Sequence, residues 1–505
     1  MNAYTLASLA AYFILMLAIG LYAWRRSTGD SAGYLLAGRN LPPSVAALSA
    51  GASDMSGWLL LGLPGALYVG GLVEAWIGIG LFIGALANWI LVAPRLRAQT
   101  EQLGNALTIP QFLANRFPER GTALRVTSAV IIVAFFTIYT AAGLVGGGKL
   151  FETAFAGILP NTGLSDYMLG IVITAGIVLA YTMVGGFLAV SLTDFVQGLI
   201  MMAALILMPL VVMFGPGGEA GGSLTEVPVD GFLDLTYGLT AIGFISAVTW
   251  GLGYFGQPHI IVRFMAINRI ENVRRAAAYG MGWMGIALIG AIGLGLAGRA
   301  YVERNGLVVK DPETIFIVLA QLLFHPAITG FLYAALLAAI MSTISSQLLV
   351  SSSSLTEDFY RLFLRRNASE REAVNVSRGA VALVAIAAIV IAADPNSQVL
   401  GLVANAWAGF GAAFGPLILL ALMWHGKDGT GKDGTGMTGA GAVAGLVTGA
   451  GVVAGWIALG WNAQLPTALG GGPGLYEIVP GFAAATAAII VVSKFTRPSS
   501  ARGAL

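Results

Sequence analysis

Thirteen apolar runs long enough, or nearly so, to cross a lipid bilayer recur along these 505 residues, and they leave little room for any architecture other than a bundle of membrane helices. They fall at 4–24, 43–70, 73–93, 122–148, 165–185, 190–214, 236–258, 276–300, 327–356, 379–394, 398–424, 438–459 and 476–493. Only 10% of the residues are charged, where a soluble domain carries about 25%. Mean hydropathy is +0.83. The runs exceed ordinary strand lengths, and their Gly, Ala and Leu content suits close helix packing in lipid. The expected fold is an all-α membrane protein of thirteen transmembrane helices. Its least secure boundary is Asp394-Pro395-Asn396, which alone divides the tenth run from the eleventh.

Lys and Arg placement orients the chain. With the N-terminus outside and thirteen alternating spans, 22 of the 26 basic residues fall on the cytoplasmic side. Lys149, Arg299, Arg304 and Lys310 stay outside. Such a bias predicts N-out and C-in, and an even number of spans would break it partway along. Residues 1–23 lack a basic leader and Arg25-Arg26 follow them, which reads as a retained first span rather than a cleaved signal peptide.

Composition also excludes. A net charge of +2 gives no basic face for nucleic acid. Without cysteine there is no disulfide, thiolate nucleophile or thiolate metal site, and three histidines make a transition-metal centre implausible. No nucleophile–base constellation supports an enzyme. No signalling domain follows Lys494, which disfavours a receptor. Thr108–Phe117 reads as a short amphipathic interfacial helix with Pro110 near its start. The tandem KDGTG of 427–436 reads as a flexible connector.

Asp54 is the one charged residue between Asn40 and Val73. It lies about 17 Å along a helix begun at Pro43, near mid-membrane. An acid there costs at least ~2.5–3.5 kcal/mol and needs a compensating partner. The small residues and glycines of Ser49–Trp58 weaken the helix and free backbone oxygens. A second weak helix, Trp250-Gly251-Leu252-Gly253-Tyr254-Phe255-Gly256-Gln257-Pro258, lies five spans later and so runs in the opposite direction. Two interrupted segments at matching places point to an inverted-repeat secondary transporter with its site at the midplane. The repeats would be 43–214 and 236–424, with an extra helix at 4–24 and two more at 438–493.

On an α-helix Trp250, Tyr254 and Gln257 share a face that suits a solute. In the ninth run, uncharged from Pro326 to Thr356, Ala339, Ser342 and Thr343 at i, i+3 and i+4 can bring two hydroxyls and a carbonyl together. These are hard donors that suit an alkali cation. Taken alone, such hydroxyls bond back to their own helix; opposite a broken helix they read as an ion site. Asp194 is either interfacial, with its head in cytoplasmic water, or part of the ion's path. Glu74, Glu152 and Asp394 are expected at solvated outer ends, and His259 at the cytoplasmic edge. The Tyr139 phenol needs a partner, either a neighbouring helix or the solute.

The motifs Gly38-Arg39-Asn40-Leu41, Leu48 to Trp58, Gly62-Leu63-Pro64-Gly65, Gly185 to Val190, Trp250 to His259, Met341-Ser342-Thr343 and Trp407 to Pro416 resemble the sodium/solute symporter family. Within it the resemblance is nearest to bacterial proline carriers and covers nearly the whole chain. It implies a five-plus-five inverted repeat with three extra spans, in the bacterial cytoplasmic membrane. It implies a sodium site made by backbone oxygens of Ala52, Met55 and Ala339 and hydroxyls of Ser342 and Thr343. It gives Asp54 and Asp194 a role in sodium coupling and Arg39 one in cytoplasmic gating. A proline pocket would draw on Ser56, Gly57, Trp58, Tyr139, Trp250, Tyr254, Gln257 and Pro258. The chain departs from the family pattern in the 427–436 repeat and in Ser346, where those carriers have cysteine; neither is expected to touch the site.

The expected function is sodium-coupled import of L-proline by alternating access. Rivals are the same fold carrying a sugar, pantothenate, another amino acid or a short carboxylate, and coupling to protons through Asp54. Asp54 either binds sodium directly or organises the site from behind the ligands.

Overall fold

The computed structural model describes residues 2–26, 31–156, 162–215, 224–424, 436–462 and 474–497. The connector at 427–436 lies outside the described residues except for Gly436. Helices dominate, and among the described residues strand pairing is limited to one parallel bridge, Leu41 to Ile267.

Among the described residues, eleven helices are long and apolar enough to cross a membrane. Their burial sorts them into two layers. Of the most apolar stretch, 83% is buried in both Pro326–Leu364 and Val399–Met423, against 28% in Ala3–Ala23 and in Ile478–Thr496. The first two are central and the last two peripheral. Peripheral faces present side chains such as Ile14 and Leu383 outward, as expected of helices solvated by lipid. The peripheral first helix, Ala3–Arg26, is tied to the central one by Thr5 Oγ1 donating to the Pro326 carbonyl and Ser8 Oγ to that of Ala327, both at 2.9 Å.

Both expected breaks are present. Helix Pro43–Asp54 stops at Met55 (φ −82°, ψ 73°). Ser56 turns extended and caps a new helix at Gly57–Leu60, its hydroxyl accepting from Trp58 N, and Gly62–Gly70 follows. In the second broken segment, helix Ala241–Val248 tightens into a 3-10 stretch at Thr249–Gly256. Gln257 then turns extended and Pro258 opens helix Pro258–Ala266, where its missing N–H costs nothing.

The 3-10 winding corrects one expectation. At three residues per turn, Trp250, Tyr254 and Gln257 no longer share a face. The winding has a packing partner. A Cβ on Gly84 of helix Ala75–Leu91 would collide with the Gly251 carbonyl oxygen, so the two backbones touch through glycine.

The fifth and sixth expected spans meet at Gly186, whose φ of 59° and ψ of −160° only glycine adopts readily. A Cβ there would stand 2.7 Å from the Tyr34 ring. Elsewhere the helices outrun hydropathy. Glu370–Ala392 begins ahead of the apolar run at 379, and the central helix continues as a wide π-helical turn at Ser354–Leu364. The amphipathic helix forms as Ile109–Arg116, capped by the Thr108 hydroxyl.

Candidate functional site

The breaks leave carbonyls without helical partners, and the central helix meets the first break with hydroxyls. Ser342 Oγ donates to the Ala52 carbonyl at 2.7 Å and lies 3.2 Å from that of Ala339. Thr343 Oγ1 lies 3.2 Å from the same Ala339 carbonyl. Two carbonyls and two hydroxyls from helices 290 residues apart thus gather, all buried. Met55, also buried, ends the broken helix with its carbonyl turned out of the helical direction.

The Asp54 carboxylate is bonded elsewhere. The Tyr254 hydroxyl donates to its Oδ2, joining the first break to the second, while Oδ1 has no partner among the described residues. The Asp54 carbonyl accepts from Trp58 Nε1 at 3.2 Å and from the Tyr139 hydroxyl at 3.4 Å. Asp54, Trp58, Tyr139 and Tyr254 therefore form one buried cluster. Beside it lies a gap of about 20 Å³, bordered by Asp54, Tyr254, Met284 and Trp283. That is room for about one water.

The other expected solute residues sit around this cluster. Ser56 is occupied in capping, and Gly57 packs on Ile340. The Trp250 ring stacks on Tyr476 at 5.0 Å instead of on Tyr254. Gln257 Nε2 donates to the Trp407 carbonyl at 3.2 Å. Pro258 stands apart, lining a separate small gap with Thr108, Phe187 and Val262.

Trp407 entered the sequence reading only as the start of a family motif, with no site role, yet it holds the second break together. Its Nε1 donates to the Trp250 carbonyl at 2.7 Å, its ring meets Tyr254 edge-on at 5.0 Å, and its carbonyl receives Gln257. A Cβ on Gly253 would collide with its indole, which was the available signal: glycine where a large ring must approach.

Asp194 is fully buried rather than in water, and it pairs with Arg263 at 3.0 Å. Arg263, placed by sequence in an inner loop, is 1% exposed. His259 is likewise not at an edge but buried, with Phe136 and Tyr139 edge-on to its ring. Ser346, expected to be remote, bonds to Arg263 and so belongs to the same cluster as Asp194. Glu152 and Asp394 are exposed as expected, and Glu74 is half-buried.

Arg39 occupies a left-handed turn in which Ala37, Gly38 and Arg39 all have positive φ. This turn aims its guanidinium at Thr100 Oγ1 and the Met265 carbonyl, both at 3.1 Å, and the Ala106 carbonyl at 2.7 Å. Beside it the Leu41–Ile267 bridge ties the start of the first broken region to the end of the second. Burial, then the neighbouring Arg97 charge, hold the Arg39 pKa below its ordinary value.

At the opposite end, Lys149 meets Asp311 at 2.7 Å and Glu313 at 2.8 Å. The Glu313 carboxylate also receives the backbone N–H groups of Val399 and Leu400 at a helix start. Among the described residues no group of three His, Cys, Asp or Glu could hold a transition metal.

Known proteins resemble this chain in sequence and in fold. A high-affinity proline transporter of Bacillus subtilis is 51% identical over 487 residues, 96% of this chain and 97% of the relative. A sodium/proline symporter of Staphylococcus aureus is 49% identical over 507 residues, 99% of this chain and 94% of that one. Among solved structures, a Na+-coupled sialic acid symporter in a substrate-bound outward-open state superposes with a TM-score of 0.76 at 18% identity, covering 98% of this chain and 99% of its own. The sodium:solute symporter family matches residues 34–449, and with these relatives the chain belongs to that family.

Proposed function

We propose that this chain imports L-proline together with sodium, by alternating access, across a bacterial cytoplasmic membrane. The observation that carries the reading is the meeting of Ser342 and Thr343 with the Ala52 and Ala339 carbonyls at a helix break. In this reading sodium takes those four oxygens and the Met55 carbonyl. Proline sits against Asp54, Trp58, Tyr139, Tyr254 and Gln257, with Ser56, Gly57, Trp250 and Pro258 shaping the surroundings. The unpartnered Oδ1 of Asp54 and Oε1 of Gln257 are acceptors for its secondary ammonium. A gap of about 20 Å³ cannot receive such a solute, so the broken segments part to admit it. Asp54 serves the solute face and organises the ion site from behind. Asp194 acts in sodium coupling, and Arg39 gates the cytoplasmic end.

The topology consistent with this is thirteen spans, the eleven long helices plus two interrupted ones. We read 43–214 and 236–424 as inverted repeats, 4–24 and 438–493 as additions, and the orientation as N-out, C-in. One sodium carries ~2.3 kcal/mol per 100 mV, which with its concentration gradient supports about 100-fold accumulation. The test is uptake of radiolabelled L-proline into proteoliposomes, with choline replacing sodium at fixed pH. Uptake indifferent to sodium would end the coupling proposal, and full competition by a sugar, pantothenate or a short carboxylate would change the solute.

A further inference from the structure

Arg263 joins its own helix to three others. It lies six residues beyond Gln257 on Pro258–Ala266, the helix that continues directly from the solute segment. Its Nε donates to Ser49 Oγ at 3.0 Å and its Nη2 to Asp194 Oδ2 at 3.0 Å. Nη2 also reaches Ser346 Oγ, and Nη1 the carbonyl of His259 one turn back. The ring closes on itself, since Ser49 Oγ donates to the same Asp194 oxygen at 2.8 Å. Phe187 covers the guanidinium face at 5.3 Å from its centroid.

Two features give this cluster more than a packing role. Ser49 is three residues before Ala52 and Ser346 four after Ser342, so each arm of the cluster lies one helical turn from one side of the Ser342–Ala52 contact. The charges are also fully desolvated. A buried pair that loses one partner leaves an uncompensated charge at heavy cost, so the helices carrying Ser49, Asp194, Ser346 and Arg263 shift together. The planar fork of five N–H donors suits this multi-helix contact as an ammonium would not.

We propose that Arg263 is the positioning residue that transmits sodium occupancy between Ala52 and Ser342 to the proline site. The inference rests on sodium binding at that place. Sodium fixes the spacing of the two helices, the Ser49–Asp194–Ser346 cluster follows, and Arg263 sets the helix whose first residue follows Gln257. Sodium affinity and proline affinity then rise together, as a coupling free energy between two sites.

The experiment is equilibrium binding of radiolabelled L-proline to the purified full-length protein, with and without saturating sodium, and the reciprocal sodium titration with and without proline. The ratio of the two proline Kd values is the coupling factor, for which allosteric pairs give about 5–150-fold. In Arg263→Gln the factor is expected to fall at least about fivefold, by the same amount in both titrations because linkage is reciprocal. A residue that only supports the fold would weaken both ligands and leave the factor unchanged. Arg263→Lys, which keeps the charge but not the fork, is expected to lie between. If Arg263→Gln yields no folded protein, Ser49→Ala decides: it keeps the ion pair, removes one arm, and is expected to lower the factor about two- to fivefold. A wild-type factor in Arg263→Gln, or in Ser49→Ala when the first variant cannot be purified, overturns the proposal. A factor of one in the unaltered protein would instead overturn the sodium reading on which it rests.

Discussion

The hydroxyl of Ser342 donates to the carbonyl oxygen of Ala52 across 2.7 Å, joining the central helix to the last turn of a helix that stops at Asp54. Both residues are completely buried. A carbonyl freed by a helix break and a hydroxyl from a second helix are hard oxygen donors, the kind proposed above to take sodium.

Ser342→Ala removes one of those donors without touching the solute cluster. A hydrogen-bonding group lost to a charged partner costs about 1.5–3 kcal/mol, or about 10–150-fold. The sodium concentration for half-maximal uptake is expected to rise by that factor, while uptake at saturating sodium changes less. Initial rates across a sodium series measure both.

Asp54→Asn keeps the side chain's shape and its Tyr254 contact but removes the charge. Sodium-dependent uptake is expected to collapse while the amount of membrane-embedded protein stays near normal. Sodium-dependent uptake at wild-type levels would refute the central place given to this carboxylate.

Tyr254→Phe separates the solute face from the ion face. It deletes the donor to Asp54 and leaves a buried carboxylate oxygen unpartnered, at about 1–3 kcal/mol. Proline KM is expected to rise about 5–150-fold, with half-maximal sodium moving less. Comparison with Ser342→Ala in the same assay checks the separation.

Gly186→Ala probes the fold. Its conformation belongs to glycine, and the added methyl meets the Tyr34 ring, so the variant should lose at least about 1–3 kcal/mol. A lower melting temperature in detergent, with unchanged proline KM in what remains folded, is the expected result.

Lys149→Met strands Glu313 and Asp311 at the end opposite Arg39. Removing one partner of a buried pair costs about 3–5 kcal/mol. Thermal stability should fall sharply. Adding Glu313→Gln should recover part of the loss, because the buried charge is then gone as well.

The membrane class, the positions of the apolar runs and both breaks were legible from residue order, because they depend on local quantities. Hydropathy over about 20 residues decides whether a helix suits lipid, and small residues around a lone Asp54 decide where it fails. Ala339, Ser342 and Thr343 were likewise readable from i, i+3, i+4 spacing alone. What residue order could not supply was the identity of partners. The 3-10 winding at Thr249–Gly256 comes from backbone contact between Gly251 and Gly84 and from the Trp407 ring against Gly253, and these lie far apart in the chain. Tertiary contacts also turned Asp54 toward Tyr254 and placed Arg263 at Asp194, where hydropathy had left it in a loop. A charge is buried or solvated according to what surrounds it in three dimensions, and the sequence around Arg263 contains none of the groups on other helices that pair with it.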